Sequence, residues 1–336
     1  MAKLIQASLV SVLLSTSLYA PLSYAQVTSQ VDSIAKTKQD EPASITLQAT
    51  PSVIKQAPQR IISLSPSTTE LIYSLGVEDR LLAVSRFSNY PPEAASKPII
   101  GDAFSVNTEQ LVSLQPDLIV AWDSEPFSNS LKHLPNTKVW DSHPNSIEGL
   151  FDDIQALADI VNSPKQAEIL QLKQTIHALA QKYRPHEIPF NSSGAEHSPQ
   201  QDASHAIPTV PSISARPLQG MLLISQQPLY VLTRESIQSD ALSICNAHNI
   251  FSSIFQGAAI VNRETILMNP PDFVVYSYST EKERELHERF IVQTLGLSLN
   301  KKQLIGIDSD TWSRPTVRFL QALPGLCERI AASRQN

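Results

Sequence analysis

Apolar residues along this chain come in two patterns. Uninterrupted runs of β-branched and aromatic residues predict strands buried on both faces, and recurrences every three or four positions predict amphipathic helices. The two follow each other most clearly in residues 108–122, TEQLVSLQPDLIVAW, and the same succession returns in residues 263–277, RETILMNPPDFVVYS. In each copy a glutamate (Glu109; Glu264) is followed seven residues later by a proline (Pro116; Pro271), then by an aspartate (Asp117; Asp272), then by the apolar run. The spacing predicts a short helix opened by a capping residue, Thr108 in one copy and Asn262 in the other. Proline stops each helix, because it disfavours helical geometry in the residue before it, and a buried parallel strand follows.

The surroundings repeat in the same order. A strand over 60–64 and a helix over 67–75 precede the first copy; a strand over 221–225 and a helix over 236–245 precede the second. Each copy is followed by a polar helical stretch and a further strand, 137–140 and 304–307. An additional strand is expected over 81–84. This duplication predicts an α/β protein of two similar doubly wound lobes, residues 59–146 and 220–332.

In the turn after the first strand, Ser67 or Thr68 is expected to cap the helix and Glu70 to close a capping box. No G-x-S-x-G elbow surrounds these hydroxyls, so they are not read as nucleophiles. Between the lobes, residues 147–184 carry two helices. The second restarts at Asn162-Ser163-Pro164, with Ser163 as cap and Pro164 at the first helical position, and runs to about Tyr183. At roughly 20 residues it would reach about 30 Å and could join the lobes as one strut. Residues 185–219 are rich in Pro, Ser and Gln and read as a flexible insertion. His186, His197 and His205 lie there without the short fixed spacing of metal ligands, so no metal site is assigned.

Composition narrows the partners. The 336 residues and 42% hydrophobic content suit two cores, and the formal charge of −6, without a Lys/Arg cluster, argues against a nucleic-acid partner. At the N-terminus, Lys3 precedes a largely apolar run to about Ala20, and Ser23-Tyr24-Ala25 fits a cleavage site. Residues 1–25 therefore read as a signal peptide and 26–58 as a polar, disordered lead-in. Export predicts an oxidising compartment, and the chain has two cysteines, Cys245 and Cys327, which are expected to form a disulfide. Neither lies near the signal sequence, so the mature protein is expected to be periplasmic, unlipidated and monomeric.

Five stretches carry a resemblance: RIISLSPSTTELIYSLG at 60–76, SRFSNYPPEA at 85–94, NTEQLVSLQPDLIVAW at 107–122, RESIQ at 234–238 and DSDTWSRPTVR at 308–318. Together they resemble the substrate-binding proteins of bacterial ABC importers that bridge two lobes with one long helix, the class III, cobalamin and siderophore type. The resemblance implies a receptor that is not an enzyme, captures cobalamin in the cleft and delivers it to permease subunits. It needs no cofactor of its own, and only small hinge closure is expected. Carried over by position, Tyr90, Phe104, Trp122 and Trp312 form an aromatic wall, with Asp310 and Arg314 as polar contacts. Glu109 and Glu264 fall where the family docks one glutamate per lobe onto permease arginines. The sequence departs from the pattern at Phe104 and Ala258, where tryptophans would be expected. Haem or a ferric siderophore is the alternative ligand.

Overall fold

The computed structural model describes residues 56–134, 136–184 and 216–334. The expected signal peptide, almost all of the expected lead-in, most of the expected insertion and the three histidines in it lie outside the described residues.

The first lobe contains β1 (Ile61–Ser63), α1 (Pro66–Ser74), β2 (Leu81–Ser85), β3 (Ile99–Gly101), α2 (Thr108–Leu114), β4 (Leu118–Ala121), α3 (Ser128–Leu131) and β5 (Lys138–Asp141). Its five strands run in the order β3-β2-β1-β4-β5, all parallel. Because the order reverses between β1 and β4, their carboxyl ends flank the switch point, where open α/β sheets bind ligands. Two helices follow, α4 (Ile147–Val161) and α5 (Gln166–Tyr183).

The second lobe contains β6 (Leu218–Gln226), β7 (Leu229–Leu232), α6 (Ile237–Ile244), β8 (Ala247–Asn249), β9 (Ala258–Ile260), α7 (Arg263–Met268), β10 (Phe273–Tyr278), α8 (Glu281–Arg289), β11 (Leu304–Asp308), α9 (Ser309–Ser313) and α10 (Val317–Ala332). Its sheet runs β11-β10-β6-β7-β9, with β8 beside the start of β6. The lobes are alike but not identical. Where β1 leads through α1 to a parallel neighbour, β6 turns straight back into β7, and β7 and β9 run antiparallel. The apolar run Leu229-Tyr230-Val231-Leu232 after Pro228 is the sequence signal for this hairpin.

Several helix starts differ from expectation. Ser65, not Ser67 or Thr68, caps α1, its side chain accepting from the N–H of Thr68. Asn107, not Thr108, caps α2 by accepting from Gln110 N–H, as Asn262 caps α7 by accepting from Thr265 N–H. The repeat's own register, which aligns Asn107 with Asn262, contained that answer. The α5 helix begins at Gln166 rather than Pro164, and the Ser163 hydroxyl instead accepts from Lys165 N–H and donates to the Leu75 carbonyl.

The 18 residues of α5 span about 27 Å. This helix packs against α4, α6 and α10, so it lies within a helical layer. One hydrophobic core runs through that layer, from Ile61, Leu71 and Leu118 of the first lobe through Leu150, Ile154, Ile169 and Ile176 to Leu222, Leu242, Phe273 and Phe319 of the second. At the same layer the disulfide Cys245–Cys327 ties the end of α6 to α10.

Candidate functional site

At the switch point a cavity of about 330 Å³ opens between the lobes, lined by Leu64, Ser65, Ser67 and Trp122 of the first lobe and closed by Ser313 and Pro315 of the second. The four residues of β4 are fully buried, and Trp122 is the first residue beyond that strand, half-buried. Beside it sits the exposed His143, ring centroids 5.7 Å apart. Two bonds hold the His143 segment there. The Ser142 N–H donates to the Ala121 carbonyl, and the Ser142 hydroxyl donates to Asp153, whose carboxyl burial pushes above its ordinary value.

Phe104 stands 89% exposed on the loop that passes Ala103, another wall residue. Asp102 shapes that loop by accepting from the N–H groups of Phe104 (3.0 Å) and Ser105 (3.1 Å), which together with Arg86 hold its carboxyl below the usual range. Gly101 is required here, because a Cβ would lie 2.2 Å from the Ser105 carbonyl oxygen.

The polar groups form a cluster that sequence reasoning only half anticipated. Glu70 on α1 is 2% exposed and accepts four hydrogen bonds from the second lobe. Arg314 Nη1 (3.0 Å) and Arg318 Nη2 (2.6 Å) reach Oε1; the Thr316 hydroxyl (3.1 Å) and Arg318 Nε (3.2 Å) reach Oε2. The Arg318 guanidinium is thus bidentate on the carboxylate, the geometry that makes such pairs strong. It also lies 4.0 Å from the Tyr90 ring centroid, stacked on an aromatic that remains 42% exposed. Arg314 donates in addition to Asn89 Oδ1, the Phe87 carbonyl and Asp310 Oδ1.

Of the expected site residues, the structure therefore brings Trp122 and the neighbours of Phe104 and Arg314 to one cavity, while Tyr90 is outside its lining, stacked on Arg318. Two differ from the sequence picture. Trp312 is buried, tilted against Phe319 in the core, and its carbonyl accepts from Gln238, so its ring packs the α9–α10 junction rather than the cleft wall. Arg314 is 8% exposed and four of its donors are taken by protein. Glu70, assigned at most to a capping box, is instead the centre of the cluster. Its partners lie more than 240 positions away in sequence, and nothing local signals them.

Glu109 and Glu264 occupy the first turns of α2 and α7, both exposed, and neither makes an ion pair with another described residue. A separate cavity of about 440 Å³ is lined by polar and charged residues of α6 and β8 together with Asn145, Arg234 and Glu235.

The site is thus a cavity at the strand ends, between two α/β lobes that share a layer of helices. A sequence profile described as periplasmic binding protein matches residues 61–186. It is 29% identical over 278 residues to the vitamin B12-binding protein of Photorhabdus laumondii, covering 82% of this chain and 88% of the relative. Among solved structures, the periplasmic vitamin B12 binding protein of Vibrio cholerae superposes with a TM-score of 0.65 at 24% identity, covering 83% of this chain and 99% of its own. The periplasmic heme binding protein of the same organism superposes with a TM-score of 0.62 at 20% identity, covering 80% and 98%. Among the described residues no helix is long and apolar enough to cross a membrane.

Proposed function

We propose that this protein is an exported receptor that captures cobalamin in the inter-lobe cleft and delivers it, chemically unchanged, to the permease subunits of an inner-membrane ABC importer. The observation that carries this reading is the cavity at the β1/β4 switch point with Trp122 at its wall, in a chain whose sequence relative is a vitamin B12-binding protein. A cavity of about 330 Å³ accepts a small molecule or one edge of a large one. A corrinoid would therefore seat an edge against Trp122 and spread its macrocycle over the rim, where Tyr90 and Phe104 supply aromatic surface. The half-buried Asp310 carboxylate stands nearby, held by Arg314 on Oδ1 (2.8 Å) and Asn89 on Oδ2 (3.4 Å), while Arg314 supports the rim from within. Glu109 and Glu264, one per lobe, would meet cationic positions on two equivalent permease subunits. The mature chain begins after Ala25, carries no lipid and acts as a monomer in the periplasm.

The test is a titration of the mature protein with cyanocobalamin, followed by tryptophan fluorescence. Saturable one-to-one quenching, weakened about tenfold or more by Trp122→Ala, is expected. Unaltered binding by that variant would remove the ligand from this cleft, and no saturable binding would remove cobalamin.

One observation favours a second reading. His143 against Trp122 offers an imidazole that could ligate haem iron, so the same series is run with haemin. A low-spin iron spectrum lost in His143→Ala would favour haem.

A further inference from the structure

Two exposed apolar side chains stand at matching places in the repeat. Val112 on α2 is 42% exposed and Leu267 on α7 is 40% exposed, and each follows its lobe's glutamate, Glu109 or Glu264, by three positions. Residues three apart share a helix face, so each lobe presents an acid beside an apolar side chain. Single surface hydrophobes are ordinary. Here the same pairing recurs in both lobes, and the core requires neither member, because the residue before it, Leu111 or Ile266, is fully buried and already anchors the helix.

The fold places both faces alike. Each helix is followed by a buried proline, Pro116 or Pro271, and leads into the strand that pairs in parallel with the first strand of its sheet, β4 with β1 and β10 with β6. The two acid–apolar faces therefore hold the same position relative to their own sheets, which suits a partner that offers the same surface twice. Neither glutamate makes an ion pair among the described residues, so each carboxylate is open to a cation. Around the shared pair the lobes differ. Val112 borders a recess of about 370 Å³ that Pro116, Leu134 and Thr137 help to line, whereas beyond Leu267 the side chain of Met268 stands 81% exposed.

We propose that Glu109 with Val112 and Glu264 with Leu267 are two copies of one docking epitope, that its partner is a pair of equivalent permease subunits each presenting a cation beside an apolar surface, and that Val112, Leu267 and Met268 supply the salt-independent part of the affinity. This rests on the two glutamates being importer contacts, and it adds the residues that hold the complex once the charges have steered the encounter. Interfaces concentrate their energy in a few well-packed side chains, while exposed charges mainly govern approach and register. With Met268 beside Leu267, the second lobe carries the larger apolar share.

The experiment measures binding of the mature protein to the source organism's own vitamin B12 importer in proteoliposomes, at low and at high salt. Val112→Ser and Leu267→Ser are each expected to weaken binding about fivefold or more, and Leu267→Ser combined with Met268→Ser to weaken it further, with the salt dependence of the parent protein retained. Cyanocobalamin affinity and melting temperature are expected to stay at parent values, since all three side chains are exposed and lie outside the cavity lining. If a serine variant melts lower, alanine at that position, a better helix former, decides the same point. Parent-like importer binding in the serine variants, with charge reversal at Glu109 and Glu264 still harmful, overturns the apolar anchors and leaves the glutamate contacts standing. Parent-like binding in both sets of variants, or no binding by the parent protein, removes the glutamate contacts and the epitope together.

Discussion

Asp117 and Asp272 perform one task in the two lobes: each carboxylate receives the backbone N–H at the entrance of the first strand of its own sheet. Asp117 accepts from Gln59 N–H (2.7 Å) and Arg60 N–H (2.9 Å), and Asp272 accepts from Gln219 N–H (2.7 Å) and from the Arg216 guanidinium (2.9 Å). The reverse bonds also match, Asp117 N–H to the Arg60 carbonyl and Asp272 N–H to that of Gln219. The Pro-Asp pair of the sequence repeat is thus a staple that sets the edge where two parallel strands begin.

Replacing either aspartate by alanine should destabilise the protein by about 1–3 kcal/mol, since backbone donors lose a charged acceptor. Asp117→Ala should cost more, because Asp117 serves two backbone donors whereas Asp272 serves one backbone donor and an exposed arginine. Urea unfolding of the two variants would check this, and equal midpoints with the parent protein would refute it.

The disulfide closes a loop with its cysteines 82 positions apart, both buried. Chain-entropy reasoning assigns such a closure about 4.5 kcal/mol, and native disulfides commonly contribute about 2–5. The double variant Cys245→Ser, Cys327→Ser should unfold at clearly lower denaturant, read by circular dichroism. An unshifted midpoint would mean that the packing of α6 on α10 holds without the bond.

Charge reversal at Glu109 or Glu264 should leave cobalamin affinity unchanged, because both lie on exposed first turns away from the cavity lining. Delivery should suffer instead. Binding to the importer in proteoliposomes is expected to weaken roughly tenfold per site and to lose part of its salt dependence. A variant that transports normally would leave these glutamates as helix-start carboxylates favoured by the macrodipole.

His287 on α8 is 5% exposed, and burial holds its pKa below the ordinary 6.5, with Glu283 partly opposing. Gln226 lies 3.2 Å from Nδ1 and the Tyr276 ring packs beside the imidazole. A lowered folded pKa means that the unfolded chain takes up the proton first. The contribution of neutral His287 is therefore complete above about 6.5 and is lost as pH falls through the lower folded value. The denaturant midpoint should thus drop between about pH 7.5 and 5.5 more steeply in the parent protein than in His287→Gln. Parallel profiles would show that this imidazole titrates as it does in the unfolded chain.

Sequence alone determined the elements whose signals are local. The buried strands 118–121 and 273–278, the helices before them and the repeat relating them follow from apolar periodicity and proline placement, which act over a few residues. The disulfide followed from two cysteines in a chain whose N-terminus reads as an export signal. Tertiary structure alone decided matters that depend on how separate elements meet. A tryptophan at position 312 reads the same whether its ring faces a cleft or Phe319, because an amphipathic aromatic suits both. The antiparallel β7 needed the sheet to reveal which neighbour it takes. Glu70 found its arginines across 244 and 248 positions, since a Coulomb pair depends on distance in space and a sequence carries only distance along the chain.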